Sequence, residues 1–160
     1  MASAGPLHLE AAERSAPAGV RLWMEAQAEF RARDYAAAAA RLAAIVSDHL
    51  DAPGLREATV RLQYGVVLLR LGRTEEGVAQ LRRAVELDPS NARAHHKLGA
   101  GLARLGLEAE ALPWFERAVE LAPAVAEHHW RLGEQYRRLG RRAQALGSLQ
   151  RALELDPAYA

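Results

Sequence analysis

The chain has 160 residues, enough for one domain that buries roughly 70% of its unfolded surface, and at 50% hydrophobic and 26% charged it belongs with folded proteins. A net charge of +1 gives no global pull toward nucleic acid or an anionic membrane, and the absence of cysteine rules out disulfides and thiolate metal sites. No apolar run approaches the roughly 20 residues that a membrane span needs.

In chain order, residues 1–18 lack a basic start followed by an apolar run, so no secretory signal is read there and a cytoplasmic location is expected, with a mature periplasmic protein shorn of its signal as the alternative that reads the same. This segment is expected to be partly disordered or to fold back as a cap. Every basic residue except Lys97 is arginine, the mark of a GC-rich and so bacterial coding sequence. Apolar spacing then predicts helices over 19–32, 35–49, 57–71, 74–87, 92–105, 108–121, 126–139 and 142–155. In 92–105, for example, Leu98, Leu102 and Leu105 form one stripe, and Gly106 follows where a left-handed residue can end a helix. The next helix carries Ala111, Leu112, Phe115, Ala118, Val119 and Leu121 at helical spacing, and Pro123 stops it. Pro113 lies within the first two turns of that helix and predicts a mild bend or a late start rather than a break.

The phrases "RAVELDP", "RAVELAP" and "RALELDP" recur at a fixed distance. Gly65, Gly99 and Gly133 are 34 residues apart, as are Gly72, Gly106 and Gly140, Ala84, Ala118 and Ala152, and Pro89, Pro123 and Pro157. Several rows in one register define an internal repeat of helix pairs. Small residues such as Gly99, Ala111 and Ala118 let two backbones approach closely, and a pair that cannot bury both faces alone does so by stacking on its neighbours.

These rows resemble the tetratricopeptide repeat. The resemblance covers 58–91, 92–125 and 126–160 well, with a worn copy at 19–52 and an insertion, "PGLRE", at 53–57. In the worn copy Ala26 stands where the first glycine would be and Leu50 replaces the proline. The resemblance implies an all-α, right-handed solenoid of antiparallel helix pairs, with domain limits 19–160.

Catalytic and metal chemistry find little support. "GAGLARLG" (99–106) is not preceded by a strand, and Arg104 occupies the place of a third glycine in a phosphate loop. Adjacent helical residues point about 100° apart, so His95-His96 and His128-His129 cannot each chelate one ion; packing is the expected role of His95 and His129, which share a repeat position. Glu86, Glu120 and Glu154 repeat at one place, as a solvated helix face does. No catalytic residue, metal site or cofactor is expected, and the chain reads as a non-enzyme.

The resemblance further implies a concave groove lined by the first helix of each pair. The corresponding residues are Val20, Trp23, Met24, Gln27, Phe30 and Arg31, then Thr59, Leu62, Gln63, Val66, Leu69 and Arg70. They continue with Arg93, His96, Lys97, Ala100, Ala103 and Arg104, then Glu127, Trp130, Arg131, Glu134, Arg137 and Arg138. The early groove is apolar and aromatic, the later one basic. The expected peptide contacts are Trp23, Gln27, Phe30, Gln63, Leu69, Arg70, Arg93, His96, Lys97, Arg104, Trp130, Arg131 and Arg138. The apolar group Trp23, Phe30, Leu62, Val66 and Leu69 reads either as a binding patch or as surface buried under the N-terminal segment. Arg93 and Lys97, one turn apart, look like half of the carboxylate clamp of chaperone-binding family members. Trp23 stands where that clamp has lysine, and Gln27 and Gln63 where it has asparagine.

The expected function is therefore a non-enzymatic scaffold that holds a partner's peptide, acidic or amphipathic, in the groove, with no nucleic acid and no membrane insertion. A regulatory or substrate-presenting arm of a larger enzyme, or a small secretion chaperone of this repeat type, are the alternatives. Leu146, Leu149 and Leu153 on the last helix predict self-association through an uncovered stripe.

Overall fold

A computed structural model describes residues 16–159. Among them eight α-helices follow one another and no strand occurs. They are α1 (Ala18–Arg31), α2 (Tyr35–Asp48), α3 (Glu57–Arg70), α4 (Thr74–Leu87), α5 (Ala92–Arg104), α6 (Glu108–Leu121), α7 (Ala126–Arg138) and α8 (Arg142–Leu155), closed by a 3₁₀ turn at Pro157–Tyr159. Every helix end lies within one residue of the position that apolar spacing predicts. The role expected of the N-terminal segment concerns residues 1–15, which lie outside the described residues.

Short turns join α1 to α2, α3 to α4, α5 to α6 and α7 to α8, and each pair packs along its length before stacking on the next. The repeated small residues set the approach distance. A β-carbon built on Gly65 would come within 2.6 Å of Leu81 Cγ, one on Gly99 within 3.2 Å of the Phe115 ring, and one on Gly133 within 2.7 Å of Leu149 Cγ. Glycine is needed there for space. At Gly72, Gly106 and Gly140 it is needed for backbone conformation: φ is +79°, +76° and +73°, and nothing lies within 4 Å of where a β-carbon would stand. In the worn first pair Arg33 takes that place with φ +63°.

Stacking buries two apolar clusters. One joins the first two pairs around Ala26, Leu42, Ile45 and Val67; the other runs through the last three around Leu81, Leu98, Leu102 and Phe115. Phe30 packs against both. Side chains as deep as Leu98 or Leu102 cost about 2–5 kcal/mol when cut to alanine. Polar ties repeat with the same step. His95 Nε2–H donates to the Pro89 carbonyl at 2.9 Å, and His129 Nε2–H donates to that of Pro123 at 2.9 Å. Each histidine thus fastens its helix to the preceding turn, a more specific job than packing. Arg83–Glu86, Arg117–Glu120 and Arg151–Glu154 form exposed ion pairs at 3.0, 2.8 and 2.7 Å, on the solvated face expected for those glutamates.

Helix α6 neither starts late nor stops at Pro113, whose ring is exposed to solvent. The last helix corrects part of the expected stripe. Leu146 and Leu153 are 60% and 37% exposed, but Leu149 is turned inward onto Gly133.

Candidate functional site

Helices α3, α5 and α7, the first members of three successive pairs, line a concave cleft of about 480 Å³. Its floor is apolar: Val66 and Leu69 from α3, Ala100 and Ala103 from α5, and Phe115 from α6. Ala100 and Ala103 are small where the neighbouring pairs carry Val66, Leu69, Glu134 and Arg137, which leaves room at the centre of the cleft.

The rim is cationic. Arg70, Lys97, Arg104, Arg131 and Arg138 line the cleft against the single carboxylate of Glu134. That carboxylate is held by Arg137 at 2.7 Å, and this hydrogen bond, before any other influence, keeps it below the usual glutamate range. The cations are positioned by neighbours. Arg104 Nη1 donates to the Leu69 carbonyl at 2.7 Å, Arg131 lies over the Trp130 ring at 4.5 Å, and Arg138 is 3.7 Å from Glu108. Lys97 stands 3.8 Å from Glu127. Burial pushes the Lys97 ammonium below its ordinary value; Glu127 opposes that shift, and Arg93, Arg131 and Arg70 reinforce it. Gln135 lies at the inner edge, 2% exposed, and donates to the Glu108 carbonyl.

Six of the thirteen expected contact residues meet in this cleft: Leu69, Arg70, Lys97, Arg104, Arg131 and Arg138. The others do not line it. Trp23 is half-buried and lines a separate hollow of about 150 Å³ with Leu55, Arg56 and Thr59. Phe30 is packed into both cores and meets Tyr35 edge-on at 5.6 Å. Gln27 is half-buried on α1, and Gln63 is buried on α3 with Nε2 lacking a partner among the described residues. The cleft and the hollow at Trp23 are separate, and Phe30 is packed into the cores rather than lining either.

His96 does not line this cleft but a neighbouring hollow, beside Arg93 and Lys97. It is 2% exposed, between Phe115 and His128 at ring separations of 5.9 and 5.0 Å, and burial drives its pKa down to about 3. Trp130 occupies the same repeat place one pair later and is covered by Tyr159 at 6.0 Å. Arg93 is exposed and lines a second hollow of about 370 Å³ with Lys97, Val125 and Glu127. The half clamp is thus partly occupied, since Glu127 already stands beside Lys97. The sequence reading left out Phe115 and Gln135; the small residues Ala100 and Ala103 were the readable sign of room on the floor.

Among the described residues no helix is long and apolar enough to cross a membrane, and no three acidic or histidine side chains gather as a metal site would require.

Four stacked helix pairs with a concave, charged cleft define a helical-repeat protein. The chain belongs to the tetratricopeptide repeat family, whose patterns match residues 23–92, 62–126 and 126–159. No curated protein matches it in sequence. Among solved structures it is similar to YrrB, a tetratricopeptide protein described as having an unusual peptide-binding site. Identity is 26%, the TM-score is 0.74, and the match covers 88% of this chain and 70% of YrrB. MamA from Desulfovibrio magneticus RS-1 shares the fold at 24% identity and a TM-score of 0.75, over 87% of this chain and 76% of that one. The first such domain of Spaghetti (RPAP3), solved with the HSP90 peptide SRMEEVD, shares it at 24% identity and a TM-score of 0.61, over 63% of this chain and 80% of that one.

Proposed function

We propose that the chain is a non-catalytic interaction module that holds a segment of a partner protein in the cleft between α3, α5 and α7. The observation that carries this reading is the cleft itself, an apolar floor of Val66, Leu69, Ala100, Ala103 and Phe115 under five cations and one already paired carboxylate. Apolar groups of a peptide gain by leaving water on that floor, and the guanidinium forks hold acidic groups bidentately. The likeness to YrrB, which is described as having a peptide-binding site, supports a peptide-binding role. No cofactor is needed for such binding, and nothing in the cleft combines a nucleophile with a base. The partner is expected to be acidic.

The test is selection from a displayed peptide library, followed by binding to the Ala100→Phe variant, whose ring would fill the floor. Selected peptides that lose binding in this variant, with its fold intact by circular dichroism, support the cleft. Peptides that bind the variant as well as the parent place recognition elsewhere.

A further inference from the structure

The five cations of the cleft are not equally available. Arg104 donates Nη1–H to the Leu69 carbonyl at 2.7 Å, Arg138 stands 3.7 Å from Glu108, and Lys97 stands 3.8 Å from Glu127. A carboxylate arriving from a partner has to compete with those contacts. Arg70 and Arg131 have neither a hydrogen-bond acceptor nor a carboxylate partner among the described residues. The cleft's one carboxylate, Glu134, is held by Arg137 at 2.7 Å.

Arg70 and Arg131 differ in how they are held. Arg70 is exposed and meets no aromatic ring among the described residues. The guanidinium of Arg131 lies over the Trp130 ring, 4.5 Å from its centroid. Trp130 is itself half-buried, with the Tyr159 ring 6.0 Å away. Tyr159 sits in the closing turn, where its N–H donates to the Asp156 carbonyl at 3.2 Å and the Ala158 N–H donates to Asp156 Oδ1 at 3.0 Å. A ring face holds a guanidinium without spending its N–H donors on an oxygen, so all five donors of Arg131 remain for a ligand. Exposed ion pairs are weak partly because two long side chains have to be ordered to form them. Arg131 is ordered in advance, and that lowers the cost of the contact.

Resting on the function proposed above, we propose that Arg131 is the cation that captures a partner's carboxylate, and that Trp130, propped by Tyr159, is the positioning residue that presents it. Arg104, Arg138 and Lys97 supply the positive field that speeds and orients the encounter, while Arg131 makes the contact.

The probes are short peptides titrated at low salt into the full chain labelled with nitrogen-15, with the Arg131 Nε–H signal followed by NMR. Acetyl-ALELA-amide carries one side-chain carboxylate, acetyl-ALQLA-amide carries none, and acetyl-ALQLA with a free end carries one at its terminus. Arg131 should shift with a carboxylate peptide and stay in place with the capped glutamine peptide. Which carboxylate peptide moves it assigns the source to a side chain or a chain end. Judged by the cleft amides, that peptide should bind about fivefold tighter than the capped glutamine peptide, the upper end of what an exposed pair gives. Arg131→Gln and, independently, Trp130→Leu should bring this preference below twofold. Trp130→Phe should restore it, and Arg70→Gln should leave it above threefold. A merely structural role for Trp130 would weaken all the peptides alike and leave the preference unchanged. An Arg131 signal that stays still with both carboxylate peptides at millimolar concentration, or a preference that survives Arg131→Gln, overturns the anchor. A preference that survives Trp130→Leu overturns the positioning role. If Arg131 stays still while the Leu69 and Ala100 amides shift, the anchor fails and the cleft reading stands; the library selection above judges that reading independently.

Discussion

Gly99 and the ring of Phe115 stand in direct opposition: a β-carbon on Gly99 of α5 would lie 3.2 Å from three atoms of the ring on α6. A leucine there has no room without moving the ring that also floors the cleft. Gly99→Leu should therefore lose about 1–3 kcal/mol or more, as overpacked cores do. Gly99→Ala should lose much less, since an aromatic face can yield a few tenths of an ångström and alanine gains about 1 kcal/mol of helix propensity. Gly133→Ala should cost more than Gly99→Ala, because its β-carbon would meet Leu149 Cγ at 2.7 Å. Chemical denaturation gives the order. A Gly99→Leu variant that unfolds with the parent would show that the helices are not at closest approach here.

The turn glycines separate conformation from space. Gly106 has φ +76° with nothing within 4 Å, so Gly106→Ala should cost about 1–2 kcal/mol from backbone strain alone. Arg33 already bears this strain at φ +63°, and Arg33→Gly should raise stability by a similar amount. A drop in the unfolding midpoint for Arg33→Gly would contradict the shared geometry.

His96 should make stability fall in acid. Burial, and then Lys97, His128, Arg131 and Arg93, hold its pKa near 3, although Glu127 lies 3.7 Å from Nε2. Glu127 is itself 42% exposed and close to Lys97, so it compensates only in part. The unfolded imidazole takes a proton near pH 6.5 and the folded one does not until about pH 3. The stability His96 contributes is therefore full above about pH 6.5 and is lost as pH falls from there toward 3, with a limiting slope of about 1.4 kcal/mol per pH unit. Thermal midpoints measured between pH 7 and 5 should fall in the parent and fall less steeply in His96→Asn. Parallel curves would assign the acid sensitivity to other groups.

Leu146 is 60% exposed at the repeat place where Val78 and Leu112 are buried under the following pair. Concentration-dependent association of this chain is expected in light scattering, and Leu146→Gln should reduce it. A strict monomer at high micromolar concentration would show that this strip is too small to drive self-association.

Trp23 is expected to matter for stability rather than for binding in the cleft, because its ring packs on the first core and lines a different hollow. Trp23→Ala should lower the unfolding midpoint and leave peptide affinity within about threefold. A tenfold loss of affinity, about 1.4 kcal/mol, in a variant that remains folded would restore it to the peptide path.

Local patterns carried the fold. Helix periodicity, the 34-residue step and the two kinds of glycine are properties of short stretches of chain, and repetition wrote each of them several times over. The rows of arginine at positions 70, 104 and 138 were equally legible, because a position within a repeat determines which way a side chain leaves its helix. Exposure was not legible in the same way. Leu62, His96 and Trp130 share one repeat place, yet His96 is enclosed by Phe115 and His128 while Trp130 is covered by Tyr159. Phe115 lines the cleft from another helix, beside Ala100 and Ala103 of α5. Burial and cleft shape depend on side chains that are distant in sequence and adjacent only after the pairs have stacked, so the tertiary structure alone decided which members of a repeated row line the cleft.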